Sequence, residues 1–253
     1  MVKDIVPDLL KDITETFDSS FRESETIFDV VKKITDKKAT YSDAHDYAVE
    51  IGSLLSDAYL KHLSVEMLPD GKMYYNIADR IVTPTLENNY KLVADANEQI
   101  QDILNEQANL HIQAQRPELN QDRIKGIVNR LSNEDDFDLV KWLLDDPIVN
   151  FTQSIVDDSI KANAEFHYQS GLFPKIIRVA SPGACQWCKN LAGTYDYNSE
   201  PQDVYRRHEN CRCKTDFYPR DGRGRQNVWN KTWDKEARQK RIDFSKGLID
   251  SIV

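Results

Sequence analysis

Long apolar runs are missing from this sequence of 253 residues, although 40% of the residues are hydrophobic and 30% are charged. No stretch approaches the roughly eighteen consecutive apolar residues that a membrane-spanning helix requires, so we predict a soluble globular protein with no membrane partner. Glycine is also scarce, with nine residues in the chain. Most of these glycines follow residue 170, which favours helices in the part before it.

Cysteine is absent from the whole chain except one window of 29 residues. Its four cysteines form a Cys-x2-Cys pair and a Cys-x-Cys pair, and a histidine stands three residues before the second pair. Two close thiol pairs and a histidine provide five soft ligands for a tetrahedral ion that needs four. We therefore predict a structural zinc site with the candidate ligands Cys185, Cys188, His208, Cys211 and Cys213.

Two disulfides are the alternative explanation of the same cysteines. In that case Cys211 and Cys213 would bridge to Cys185 and Cys188, because disulfide geometry disfavours a bridge between residues two apart. The first residues, 1–8, lack the apolar core of an export signal, so we expect a reducing compartment. A reducing compartment favours zinc over disulfides.

Positive charge is concentrated near one end of the chain. Residues 1–205 have a net charge of -15, whereas residues 206–246 hold thirteen Lys and Arg against six Asp and Glu. Such a basic segment could contact the phosphates of DNA, and the alternative is a solvated tail that docks on the acidic body. The candidate phosphate-contacting residues are Arg220, Arg223, Arg225, Lys231, Lys235, Arg238, Lys240 and Arg241.

Apolar residues recur at intervals of three and four through the first two thirds of the chain, which predicts helices. A turn is predicted at Pro69-Asp70-Gly71. Three further histidines, His45, His62 and His111, stand singly on predicted helices, where a surface or boundary position is the default. The predicted helices cover 42–63, the residues after Pro84, 121–131, 137–144 and 148–168.

Beyond Gly171 the pattern changes to short β-like runs at 175–179, 193–197 and 214–218, set around the cysteine pairs. The predicted fold is α+β, with a helical domain over 1–170, a Cys/His module over 171–219 that zinc stabilises, and a basic tail over 220–253. No Pro- or Gly-rich linker separates the first two. The module could therefore pack directly on the last helix.

Two segments of the Cys/His module together resemble a known signature. The sequence CQWCKNLAGTY, from Cys185 to Tyr195, is followed by RHENCRC, from Arg207 to Cys213. Both segments resemble, in order and spacing, the C-terminal signature of tailed-phage minor head proteins, the Mu F-like and SPP1 head-morphogenesis family. The resemblance covers about 45 residues, and it is specific because a Cys-Arg-Cys ending after His-x-Asn is not a common zinc-finger spacing. Glu209 stands where the family often has proline.

The resemblance implies a low-copy structural protein of the phage head rather than an enzyme. Its implied partners are the portal protein, capsid or scaffold proteins during procapsid assembly, and packaged or ejected DNA through the basic tail. The implied locations are the phage head interior and, during assembly, the host cytoplasm. Arg207 and Arg212 would support the loops or meet carboxylates of a partner, and the acidic helical part would be the assembly surface.

Two enzyme classes are the rivals of this interpretation. A metal-dependent nuclease or toxin-like enzyme of the HNH type would use His208 as a base with Asn210 nearby, but no second histidine follows His208. A thiol enzyme would use Cys185 or Cys188 with His167 or His208, but clustered thiols favour metal binding over reactivity. We therefore predict no catalytic residues.

Overall fold

A computed structural model describes residues 4–218, in which seven α-helices precede or flank a three-stranded antiparallel sheet. This architecture confirms the predicted α+β class with a helical bulk. The helices are α1 (Val6–Glu23), α2 (Glu25–Thr35), α3 (Tyr41–His62), α4 (Tyr75–Gln107), α5 (Gln121–Ser132), α6 (Asp146–Gln169) and α7 (Gln186–Leu191). The strands are β1 (Lys175–Val179), β2 (Gly193–Asp196) and β3 (Lys214–Tyr218).

Helices α3 and α6 form the centre of the helical part. A capping box begins α3, because Thr40 and Asp43 exchange hydrogen bonds between side chain and backbone at its first turn. The two helices approach closely at Gly52, where a Cβ atom would lie 2.7 Å from the Cα of Val149. Glycine is required at this crossing, since any side chain would force the two backbones apart.

Helix α4 begins earlier than predicted. We expected it to begin after Pro84, but it begins at Tyr75 and Pro84 lies inside it. Proline usually ends a helix because it lacks the N–H donor and crowds the preceding turn. Here apolar residues on both sides of it, including Ile81 and Leu86, are fully buried against neighbouring helices. Burial of this continuous apolar face outweighs one lost hydrogen bond.

The other predicted helices are confirmed to within two residues, with one exception. Residues 137–144 form two short 3-10 turns, Phe137–Leu139 and Lys141–Leu144, instead of a helix. The tighter 3-10 turns bury Phe137, Leu143 and Leu144 in the core, which a regular α-helix would not be required to do. The predicted turn is confirmed, with positive φ at Asp70 and Gly71.

The sheet has the order β2-β1-β3, and both pairings are antiparallel. The three predicted strands are confirmed, although β2 ends one residue earlier than expected. Ile176 on β1 is paired with Phe217 on β3, and both are buried in the same core as the helices. The sheet therefore packs directly on the helical part, and the domain boundary near 170 stays a prediction.

No helix within residues 4–218 combines the length and the apolar character that crossing a membrane would need. The eight basic residues between Arg220 and Arg241 that we predicted to contact phosphates lie outside the described residues.

Candidate metal centre

The two cysteine pairs lie on two short turns that face each other. Cys185 caps the N-terminus of α7, where its Sγ accepts the backbone N–H of Cys188 at 3.5 Å. The second turn contains Asn210 at a φ of 56°, a left-handed conformation that asparagine tolerates well. This turn reverses the chain between His208 and Cys211, so both can face the first pair.

All five predicted ligands meet in one cluster. The Nε2 atom of His208 lies 3.2 Å from the Sγ of Cys185 and 3.0 Å from the Sγ of Cys188. The Sγ atoms of Cys188 and Cys211 are 3.7 Å apart. These separations approach the roughly 3.5 Å expected between ligands of a tetrahedral ion with bonds of about 2.0–2.3 Å.

Cys188 is common to two groups of possible ligands. Cys185, Cys188 and His208 form the first group, and Cys188, Cys211 and Cys213 form the second, with all ligand atoms of each group within 4.8 Å of one another. The thiols are free in the structure, and a distance of 3.7 Å between sulfurs far exceeds the roughly 2.05 Å of a disulfide bond. The geometry thus favours the metal site over the disulfide alternative.

The protonation of His208 suits a metal ligand. Its Nδ1–H donates to the backbone carbonyl of Glu209 at 2.5 Å. The ring proton is thereby fixed on Nδ1, which leaves the lone pair of Nε2 directed at the sulfurs of Cys185 and Cys188. Trp187 packs edge-on against the imidazole, with ring centroids 5.6 Å apart, and restricts its rotation.

The thiols differ in how readily they ionise. The N–H of Cys188 lowers the pKa of Cys185, whereas burial raises the pKa of Cys188. Burial would also raise the pKa of Cys213, but hydrogen bonds from Ser181 and from neighbouring thiols outweigh it and lower that pKa. Packed sulfurs of this kind become thiolates together when a divalent cation lies between them.

A buried arginine lies beside the cluster and has neutral partners. Arg178 of β1 donates through Nη1 to the carbonyl of Val204 and the hydroxyl of Thr215, both at 2.9 Å. Its Nη2 lies 3.1 Å from the carbonyl oxygen of Arg206 and 3.7 Å from the Sγ of Cys211. Among the described residues it forms no salt bridge with a carboxylate. A thiolate at Cys211 would supply the negative charge that a buried guanidinium requires.

A polar stripe on α6 holds the second turn in place. It consists of Asp146, Asn150, Gln153 and Asp157, which lie on one face because they are spaced by four, three and four residues. The Oδ2 of Asp146 accepts the backbone N–H of Asn210 at 2.6 Å. Asn150 and Gln153 donate to the carbonyls of His208 and Cys213, at 3.2 and 3.4 Å.

Two arginines of the motif complete this attachment. Arg212 donates to Asp146 at 2.9 Å, and Arg207 forms a bidentate pair with Asp157. The side chains of Arg207 and Asp157 are 2% and 1% exposed. Both arginines therefore support the loops from within the chain, which was one of the two roles expected of them. The stripe itself was not predicted, since a polar helix face in a sequence is usually solvent-exposed.

His45 was expected at a surface or boundary position, and this prediction is wrong. It is fully buried between α3 and β3, with Nε2 2.8 Å from the carbonyl oxygen of Thr215. The Nη2 of Arg207 lies 3.3 Å from its Nδ1. The backbone N–H of Thr215 donates to the same Nε2 at 2.9 Å, so the imidazole contacts both main-chain polar groups of Thr215. His45 thus satisfies a main-chain group at the outer edge of the sheet.

The other two histidines have different outcomes. His62 lies at a boundary position on α3, as predicted, and its Nε2 is 2.7 Å from the hydroxyl of Thr16. His111 is exposed as predicted, but it follows the end of α4 in a segment without regular secondary structure and not in a helix. Both lie on elements other than the Cys/His turns.

Burial makes His45 a determinant of acid stability. Burial, reinforced by the charge of Arg207, lowers its pKa from 6.5 to about 3. Between about pH 6.5 and pH 3 the imidazole of His45 is protonated in the unfolded chain but neutral in the folded chain. The free energy of unfolding therefore falls progressively as the pH is lowered through this range. The slope it adds is about 1.4 kcal/mol per pH unit.

We expect His45→Gln to lower the free energy of unfolding at neutral pH, because it disturbs a buried hydrogen bond. It should also flatten the decline in acid, so that the difference between the two proteins shrinks as the pH falls. Urea denaturation of both proteins at several pH values between about 7 and 4 measures this difference. Parallel pH profiles would contradict the assignment, since the acid loss of metal is common to both proteins.

The histidines and thiols named for the two enzyme alternatives have the following surroundings. Both ring nitrogens of His208 are engaged, one by Glu209 and the other by the sulfurs, so it is poorly placed to act as a base. His167 is buried against Phe217, with ring centroids 5.3 Å apart. The three cysteines other than Cys185 are buried.

Comparisons of the chain with protein-family models, with curated proteins and with solved structures found no match.

Proposed function

We propose that this chain is a minor head protein of a tailed phage, of the Mu F-like and SPP1 head-morphogenesis type. The observation that carries the proposal is the motif of Cys185-x2-Cys188 followed by His208-x-Asn210-Cys211-x-Cys213, whose five ligand candidates meet in one cluster. The protein has a structural task in this proposal. It joins the portal region during procapsid assembly, at low copy number, and resides in the head interior.

Zinc is the ion that we propose for the cluster. Thiolate and imidazole donors at tetrahedral separations suit zinc, while carboxylate-rich oxygen sites suit magnesium or calcium. The metal would join the turn at α7 to the turn before β3, and the α6 stripe would hold that joint against the helices. The centre would thus fix the geometry of the sheet instead of performing chemistry.

The acidic helical part is the proposed assembly surface, and the basic residues from Arg220 to Arg241 are the proposed contact with packaged DNA. The charge asymmetry of the chain supports this division, since residues 1–205 are strongly acidic. Opposite charges on the two parts would let one molecule contact a protein partner and a nucleic acid at once.

Quantitative mass spectrometry of purified phage particles tests the proposal. The chain should be present at a few copies per particle, far below the major shell protein. A purified procapsid sample should contain it as well, together with the portal protein. Absence from both samples would overturn the proposal.

A nuclease assay separates the proposal from its rival. The zinc-loaded protein should leave supercoiled plasmid intact in the presence of magnesium or manganese. Cleavage that His208→Ala abolishes, while the variant keeps its fold, would establish the HNH-type alternative instead.

A further inference from the structure

A groove of about 530 Å³ lies beside the second cysteine turn, and its lining includes His208 and the residues Asp146, Asn150 and Arg207 that attach this turn to α6. One wall is α5, with Arg123, Gly126 and Arg130. The opposite wall contains Trp142, and His208 lies at one end. A second groove of about 400 Å³ adjoins it and shares Arg130, Trp142 and Leu143 as lining residues.

Two arginines in this groove are held by aromatic rings. The guanidinium of Arg123 lies 5.8 Å from the ring centroid of Phe151, and that of Arg130 lies 5.1 Å from the ring centroid of Trp142. Neither forms a salt bridge with any of the described residues. The side chain of Arg123 donates one hydrogen bond, to the hydroxyl of Ser154 at 2.6 Å. A guanidinium held by its face keeps its N–H edge available to bind a carboxylate or phosphate in bidentate fashion.

The remaining charges of the groove are already paired, with one exception. Asp146 is neutralised by Arg212, and Arg207 by Asp157. Glu209 is exposed at the rim. Burial lowers the pKa of Arg123, and the nearby carboxylates of Asp158 and Asp157 offset this only in part. The groove therefore presents two guanidinium groups that form no salt bridge within residues 4–218, on a chain whose residues 1–205 have a net charge of -15.

The face of α5 between the two arginines is also open enough to admit a ligand. Arg123, Gly126 and Arg130 lie on one helix face, because they are spaced by three and four residues. A Cβ atom at Gly126 would have no neighbour within 4 Å, so packing does not require glycine there. Glycine in the middle of a helix is destabilising, and at Gly126 it leaves the backbone open between the two arginines.

Exposed apolar side chains border the cations. Leu139 is 64% exposed and Trp142 is 45% exposed, and both line the second groove. Arginine and tryptophan are the residue types most often found at the energetic centre of protein interfaces. A ligand that complements this surface carries carboxylates next to an apolar side chain.

We propose that this groove is a docking site for a short acidic segment of a partner protein. The carboxylates of the segment pair with Arg123 and Arg130, and a neighbouring aromatic or aliphatic side chain packs on Trp142 and Leu139. Nucleic acid is the less favoured occupant, because residues 1–205 have a net charge of -15 and would repel a polyanion far more than a short peptide. The site does not depend on the proposed head function.

The probe is an array of short peptides that place Asp or Glu beside Leu, Phe or Trp, each paired with a version carrying Asn or Gln instead. The full-length, metal-loaded protein should bind acidic peptides and not their amide versions. Fluorescence anisotropy of the strongest pair should then show Arg130→Gln and Gly126→Leu each weakening the affinity about tenfold or more, a loss typical of central interface residues.

Lys125→Gln is the matched control, because Lys125 is exposed on the opposite face of the same helix and the variant removes the same charge. It should bind as the wild type does. Gly126→Leu should melt no earlier than the wild type, so its loss of binding cannot be unfolding. Equal binding of acidic and amide peptides, or equal losses in Lys125→Gln and Arg130→Gln, would overturn the proposal. So would the absence of peptide binding together with saturable binding of single-stranded DNA that Arg130→Gln abolishes.

Discussion

The Cys188→Ser protein should lose its metal and unfold the Cys/His module, while α1 to α6 keep most of their far-UV helical signal. Cys188 is the thiol shared by both groups of ligands, and it is buried. A structural zinc contributes on the order of 10 kcal/mol of binding energy to folding. We expect the small sheet to be unstable without this contribution. Metal content by mass spectrometry and circular dichroism measure the two effects.

Cys185→Ser is the informative comparison for this variant. Cys185 is exposed and belongs to one of the two groups, so four candidate ligands, including the complete second group, remain when it is lost. We expect weaker metal retention against a chelator, with a sheet that still folds when zinc is in excess. A full equivalent of metal in purified Cys188→Ser would remove Cys188 from the ligand set. Linked peptides in a non-reducing digest of the wild type would instead establish disulfides.

The sequence predicted those parts of the fold whose signal is local. The apolar stripe of α3 and the strands around the cysteines were found because periodicity and turn residues mark them directly. The start of α4 was missed because Pro84 is a strong local signal that distant packing overrides. The ligand candidates were found for the same local reason, since their spacing along the chain is itself the signature.

The residues that attach the metal centre to the helices could not be predicted from local sequence patterns. Asp146 and Asp157 occur at spacings that also describe a solvent-exposed helix face. Their role depends on Arg207 and Arg212, which lie 50 positions from Asp157 and 66 positions from Asp146 along the chain. His45 is a similar case, because its partner Thr215 is 170 positions distant. A buried polar group is recognisable in a sequence only when its partner is known.

The buried ion pair between Arg207 and Asp157 leads to the second large expected effect. Asp157→Asn should lower the free energy of unfolding by about 3–5 kcal/mol, because it leaves the Arg207 guanidinium buried without a counter-charge. For a chain of this size the melting temperature should fall by roughly 6 to 20 °C. The metal should also leave faster in the presence of a chelator, since Arg207 directly precedes His208 and donates to the carbonyl of Cys213 at 2.8 Å.

Arg206→Gln is the matched control for Asp157→Asn. Arg206 is adjacent to Arg207, but its salt bridge with Asp203 is largely exposed, so the variant should change stability by about 0.5 kcal/mol or less. The double variant Arg207→Met with Asp157→Leu should be more stable than either single variant, because it buries no unpaired charge. Equal losses in Asp157→Asn and Arg206→Gln would show that the pair does not attach the second turn to α6. A metal release rate unchanged in Asp157→Asn would show that the attachment stabilises the fold without holding the ligands.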